Sequence, residues 1–418
     1  MSNLPNPAPG KPLLDRSDVR VKHASGVRGT LSAFYDRVRS GDLGSLPVVV
    51  GLIIIWTVFS TLNPIFLSPT NLVNLLFDCS TVGIIALGIV CVLMVGEIDL
   101  SVGSTSGFAS ALLGVLWVNN GWPVGLAILA AIACGVLIGS IYATLFNKLG
   151  MPSFVSTLSG LLALLGLQLY TLGKTGSINL PYGSTLVSFG QTMVMPDWLS
   201  HGVALLPGAV MLIAGFRSAV RRREANLSTQ SSGNLLVWAG AITVALELIV
   251  FYLNIDRGIP WMFALFVGLV VLMNYALTRT KWGRSMTAVG GNREAARRSG
   301  INVRKVYLSA FVLCSSFAAL GGVLAASRLA SSSQQAGTGD VNLNAIAAAV
   351  IGGTSLFGGR GSAYSALLGI IVIQSISNGL TLLDLSSSLR YMITGGVLAV
   401  AVIIDSLARR SRVSHGRA

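Results

Sequence analysis

The chain has 418 residues, of which 53% are hydrophobic and only 11% charged. Too few polar side chains remain to clothe a water-soluble globule of that length, which excludes an ordinary soluble protein. The net charge of +14 does not point to nucleic acid, because the basic residues cluster at 11–39, 217–223, 279–305 and 409–417, between or beyond apolar runs. A nucleic-acid surface would interleave them with aromatics on one folded face.

Residues 1–45 are rich in Pro, Gly, Ser and Arg and contain no apolar core. They read as a cytoplasmic tail rather than a secretory signal, with one short amphipathic helix near 30–40. Twelve apolar stretches follow, at 46–62, 72–95, 101–118, 123–146, 153–172, 201–216, 235–253, 259–278, 306–327, 341–356, 363–383 and 391–407. Most approach the length of about 20 residues that a helix needs to cross a bilayer. The expected fold is all-α: a polytopic transmembrane helical bundle of 10–12 spans over 46–408, with a cytoplasmic tail at 409–418. With the N-terminus inside, every Lys and Arg except Lys174, Arg257, Arg328 and Arg390 falls on the cytoplasmic side. That is the positive-inside bias, and it puts both termini in the cytoplasm.

Some spans are not clean helices. The stretch 342–362 carries paired glycines, Gly352–Gly353 and Gly358–Gly359. Such density suits broken or re-entrant helices, which survive at membrane depth only inside protein or beside a water-filled cavity. Glycines along 107–114 and 320–327 permit close helix contacts. The pentapeptide SALLG occurs at 110–114 and 365–369, a weak hint of internal duplication.

Between the second and third spans lies VGEIDLSVGS, 95–104, with Glu97 and Asp99 amid hydrocarbon. Acids at such depth are costly and need a partner or a cavity. The other candidates for ion coupling are Asp78, Glu247, Asp256, Asp340 and Asp384, of which Glu247 is set well inside an apolar run. A lone acid bonded to a neighbouring helix is the plainer reading of Glu247. The topology places 95–101 at a tight cytoplasmic-side turn, or at a broken helix near that depth. In that reading Glu97, Asp99, Ser101 and Gly103 form a polar hinge or gate. Asp99 accepts backbone N–H groups at the next helix start, and Gly103 allows close packing.

Nucleotide hydrolysis would need a G-x-x-x-x-G-K-[ST] loop. In GKT, 173–175, the upstream Gly position is held by Gln168, and the segment falls at the outer end of a span. Four isolated cysteines and three distant histidines offer no metal-ligand spacing, and there is no HExxH or GxSxG motif. The chain is read as no enzyme, with no metal and no cofactor of its own.

The longest internal cytoplasmic segment is 279–305. Within it NREAARRSG specifies a helix of about two turns. Asn292 serves as N-cap, Glu294 and Arg297–Arg298 complement the dipole, and Gly300 supplies a left-handed stop. A helix this short is marginal alone, so it either lies on lipid headgroups or docks into a partner protein.

At this loop the sequence resembles permease subunits of bacterial ribose/xylose-type sugar ABC importers. The resemblance rests on AVGGNREAARRSGI (288–301), VGEIDLSVGS, GMPSFVSTLSGLL (150–162) and AIAAAVIGGTSLFGGRGS (345–362), in order over 46–172 and 259–408. It implies a homodimer of permeases in the inner membrane, a separate ABC ATPase subunit that binds ATP and Mg, and a periplasmic sugar-binding protein. It also implies that Gly291, Asn292, Glu294, Ala295, Ala296, Gly300 and Ile301 form the ATPase-coupling element. Gly352, Gly353, Gly358 and Gly359 would then lie at a broken helix by the pathway. The extra two-span segment, 201–253, departs from the ribose-type pattern and looks like xylose permeases. The function expected is ATP-driven import of a monosaccharide, xylose or a relative, by alternating access. The alternative is an ion-coupled secondary transporter using the intramembrane carboxylates.

Overall fold

Pro69 in the first turn, and a Ser68 hydroxyl that accepts from Asn71 N, start a helix that runs unbroken to Met94. Its apolar faces make it the centre of the bundle, and every residue from Gly83 to Val95 is buried. The computed structural model describes residues 46–386, apart from 226 and 228–231, and parts of 388–403. The tails at 1–45 and 409–418, the helix expected near 30–40 and most of the span at 391–407 lie outside the described residues.

The helices are α1 (Leu46–Leu62), α2 (Pro69–Met94), α3 (Val102–Gly114), α4 (Val124–Leu149), α5 (Ser153–Leu172), α6 (Thr185–Gln191), α7 (Asp197–Glu224), α8 (Ser232–Asn254), α9 (Trp261–Arg279), α10 (Lys281–Gly291), α11 (Arg293–Arg298), α12 (Val303–Leu329), α13 (Val341–Ile351) and α14 (Ala363–Leu382). Two three-residue strands, β1 (Ser177–Asn179) and β2 (Ser331–Ser333), pair antiparallel, with Ile178 opposite Ser332. Among the described residues, nine helices are long and apolar enough to cross a membrane, and α1 and α13 are shorter apolar helices. The chain is an all-α, polytopic membrane protein.

Contacts divide the described chain into two units, with 196–258 forming one of them. That unit is the α7–α8 hairpin. Gly208 lies against Thr243 and Gly215 against Leu235, an antiparallel register in which small residues let the backbones approach. The same register joins His201 to Glu247 at 2.6 Å, and Asn254 donates to the Ser200 hydroxyl at 3.1 Å. Glu247 thus has a neighbouring-helix partner that its sequence spacing from His201 did not reveal. The basic residues Arg221–Arg223 are the last turn of α7 rather than loop, where they complement the dipole.

In the other unit, α12 runs antiparallel to α2, and backbone contact replaces side chains along the seam. A Cβ at Gly88 would strike Cys314 backbone, and one at Gly321 would meet Ile85 and the Thr81 carbonyl. Gly135 and Gly139 of α4 meet Ser315 and Phe311 on another face of α12 in the same way. Close approach of this kind is how membrane helices gain packing where lipid is as apolar as the protein.

One expected span is cut short. The span expected at 341–356 is helical only over α13, 11 residues. Upstream of it, strand β2 and the turn that follows, Ser331–Gly337, run down the side of α3, with Ser332 against Ser110 and Gly114, Ala336 against Gly107 and Gly337 against Gly103. Segment 279–305 is also more ordered than expected, because α10 precedes α11.

Candidate functional site

The segment 95–101 is a tight turn only at Val95–Gly96, where Gly96 has a φ of 81°. Asp99 is fully buried and lies beside the Cys314 thiol. Cys314 lies roughly 16 Å along α12 from its first residue, Val303, near the middle of that 27-residue helix. From Gly96 the chain therefore rises to half-depth before α3 begins. Asp99 Oδ1 accepts from the Ser101 amide at 2.8 Å and its hydroxyl at 2.7 Å, which orients the first turn of α3. The Thr157 hydroxyl of α5 accepts from Leu100 N at 3.2 Å.

The second broken segment arrives at the same depth from the opposite end. Asn342, in the first turn of α13, accepts the Gly103 amide through Oδ1. Gly103 and Gly337 are in backbone contact, and neither position has room for a Cβ. Two helix starts, those of α3 and α13, thus meet in mid-bundle and run to opposite ends. The peptide dipoles aim partial positive charge at this crossing, and an aspartate stands at each start, Asp99 and Asp340. Asp340 Oδ2 accepts from Asn344 Nδ2 at 3.0 Å. This is the arrangement that lets irregular backbone persist at membrane depth.

Gln168 of α5, fully buried, holds the approach in place. Its amide nitrogen lies 3.0, 3.3 and 2.9 Å from the carbonyls of Ser333, Gln334 and Ala336. These carbonyls have no helix partner, so a side-chain amide substitutes for one. The sequence drew attention to Gln168 only as a mismatch in a phosphate-loop pattern. The signal that was available is polar residues at Asp340, Asn342 and Asn344 in an otherwise apolar run.

At the α11 end of the bundle three segments converge. Gly359 N donates to Met94 O at 3.0 Å, Gly358 lies against Gly96 and the Gly290 carbonyl, and Gly290 leaves no space for a Cβ beside Met94 O and Gly359 N. Gly352 abuts the Ser365 carbonyl, and Gly353 has a φ of 107°. The end of α10 is therefore joined to both broken segments.

Helix α11 is built as its residues dictate. Asn292 Oδ1 accepts from Ala295 N at 2.9 Å, Ile301 N donates to Ala296 O at 3.1 Å, and Gly300 stops the helix at φ +82°. Gly291, Glu294, Ala295 and Gly300 are exposed, and only Ala296 is buried. The Glu294–Arg297 pair, 3.0 Å, is exposed and contributes little. Arg293, absent from the expected set, anchors the helix: its guanidinium lies 5.7 Å from the Phe146 ring centre and 5.4 Å from that of Tyr307. Glu97 stands near it. Burial pushes the Glu97 carboxyl up, while a hydrogen bond with Ser153 and the Arg293 charge pull it back. Glu97 and Asp99 therefore face different surroundings. Among the described residues no cluster of His, Cys, Asp or Glu could hold a metal.

Residues 71–402 match the family described as branched-chain amino acid transport system / permease component. The chain belongs to this family. The permease is 34% identical over 386 residues, 91% of this chain and 96% of the relative, to the xylose transport system permease protein of Escherichia coli (strain K12). It is 32% identical to the protein of that description in Haemophilus influenzae, over 88% of this chain and 98% of the relative. The ribose import permease protein of Escherichia coli (strain K12) is 30% identical over 86% of this chain and 92% of its own length. No solved structure matches the permease.

Proposed function

We propose that the permease is the membrane-spanning subunit of an ATP-driven importer for a monosaccharide, xylose or a close relative, in the bacterial inner membrane. The observation that carries this reading is α11. A capped helix, exposed on nearly every side and pinned to the bundle by Arg293, presents a rigid surface to a partner. An ABC ATPase subunit, which binds ATP and Mg, is the partner we assign to it, with the α11 end in the cytoplasm as the basic residues indicate. The xylose permeases that resemble this chain over nine-tenths of its length supply the cargo. A periplasmic sugar-binding protein would deliver the sugar, and a second copy of the chain would complete the pathway. The joint of Gly290, Gly358, Gly359 and Met94 gives motion of α11 a backbone route to both broken segments, as alternating access requires.

The second reading is an ion-coupled transporter, and Asp99, buried at mid-depth, is the observation that favours it. Uptake of labelled xylose separates the two. In the importer reading, uptake requires the co-expressed ATPase and survives a protonophore while ATP is maintained. Uptake by this chain alone, abolished by the protonophore, would overturn it. Glu294→Ala and Gly300→Val should abolish ATPase capture and leave membrane insertion intact.

A further inference from the structure

Arg328, which the sequence placed in a loop, lies in the last turn of α12 and donates from Nε to Asp78 Oδ1 of α2 at 2.9 Å. Asp78 is the tenth residue of α2, roughly 13 Å along the axis from Pro69. Its side chain is 40% exposed and that of Arg328 21%. The guanidinium rests 5.0 Å from the centre of the buried Phe77 ring. Asn71, Asn74 and Asp78 recur at three- and four-residue intervals, and each is partly exposed. Asn71 exchanges amide hydrogen bonds of 2.8 and 3.0 Å with Asn378 of α14. A polar, partly exposed face therefore occupies the α2 half opposite α11. An aspartate or arginine facing lipid at helix centre is costly, so a water-filled path suits this face better than lipid does.

We propose that the Asp78–Arg328 pair, with Asn71, Asn74 and Asn378, is a sugar-binding surface on the translocation path at the end opposite α11. The chemistry selects the ligand. A monosaccharide offers adjacent hydroxyls, each donor and acceptor, and carboxylate, guanidinium and carboxamide groups match such pairs in a plane. The pair is neutral as a whole, so it favours an uncharged polyol over an ion. The recorded bond uses Nε and Oδ1, and the other guanidinium nitrogens and Oδ2 supply further donors and an acceptor.

This inference rests on the monosaccharide-import reading, and its test separates the two. Asn74→Cys, in the full importer, is treated from outside with a membrane-impermeant maleimide, with and without saturating xylose, against the unsubstituted chain. Labelling that xylose slows at least fivefold is expected. No labelling would overturn the proposal, and labelling that xylose leaves unchanged would overturn its sugar assignment. Asp78→Asn and Arg328→Gln should each reduce xylose uptake at least tenfold, with the amount of permease in the membrane equal to the parent's. The exchange Asp78→Arg with Arg328→Asp keeps a pair but moves the groups. Wild-type uptake by this double variant would show a packing role only and overturn the proposal. Failure of the unsubstituted importer to take up any monosaccharide would instead refute the import reading, while the maleimide result would still report whether the face is on a wet path.

Discussion

The amide of Gly359 donates to the carbonyl of Met94 at 3.0 Å, which ties the loop after α13 to the end of α2. Gly290 closes the joint, since its Cα sits where no side chain fits between Met94 O and Gly359 N. Its neighbour Gly291 has nothing within 4 Å of a Cβ position. Adjacent glycines should therefore behave differently. Gly290→Ala is expected to cost about 1–3 kcal/mol through overpacking, seen as a lower thermal midpoint in detergent. Gly291→Ala should stay within about 0.5 kcal/mol of the parent. Equal effects would show that the joint is slack.

Arg293 offers a second check at the same end. Its cation–π contacts with Phe146 and Tyr307 are the side-chain anchor of α11. Arg293→Gln removes the charge and should release about 1 kcal/mol of local stability. Amide hydrogen exchange across 292–300 would then quicken about fivefold, with α12 unaffected. Unchanged exchange would move the anchoring role to other contacts of α11.

The helices were legible because hydrophobic runs near bilayer length leave few alternatives. The α11 helix was legible because Asn292, Glu294 and Gly300 each act locally, through a cap, a dipole and a left-handed turn. The depth of Asp99 was not. Its level follows from contact with Cys314, more than 200 positions away. The paired glycines at 352–359 announced a break, but the break that matters begins upstream, at Ser331–Gly337, where no glycine pair stands. Arg328 was read as loop because charge counts assign a basic residue to the nearest boundary, and Asp78 lay 250 positions away.

Gln168 gives a test that separates hydrogen-bond direction from size. Its amide nitrogen serves three carbonyls of the segment, and neither a carboxylate nor a hydrocarbon can donate to them. Ser333 O also accepts from Ala336 N, so the loss falls on the Gln334 and Ala336 carbonyls, at about 1–3 kcal/mol for each left buried and unpaired. Gln168→Leu should lower the thermal midpoint and reduce uptake. Gln168→Glu should be worse, since a buried carboxylate adds repulsion against the same carbonyls. A well-tolerated glutamate would mean that the segment is held by its pairing with β1 instead.

Glu97 makes a prediction about pH. Burial raises its carboxyl above the ordinary glutamate value, and the Ser153 hydrogen bond and the Arg293 charge only partly offset this. In an acid so shifted the native state favours the proton more than the unfolded chain does. At pH 7.5 the unfolded chain carries an ionised Glu97, and burying that carboxyl in the native state costs stability. Glu97→Gln removes that cost while keeping the shape, so its thermal midpoint at pH 7.5 should equal or exceed the parent's. On acidification the wild type takes up its proton in the native state first. The gap should therefore narrow as pH falls through the raised value toward about 4.3, where an ordinary glutamate titrates. A variant less stable than wild type at pH 7.5, with the loss fading in acid, would reverse the sign. It would show that Ser153 and Arg293 outweigh burial and hold Glu97 as a structural anion beneath α11.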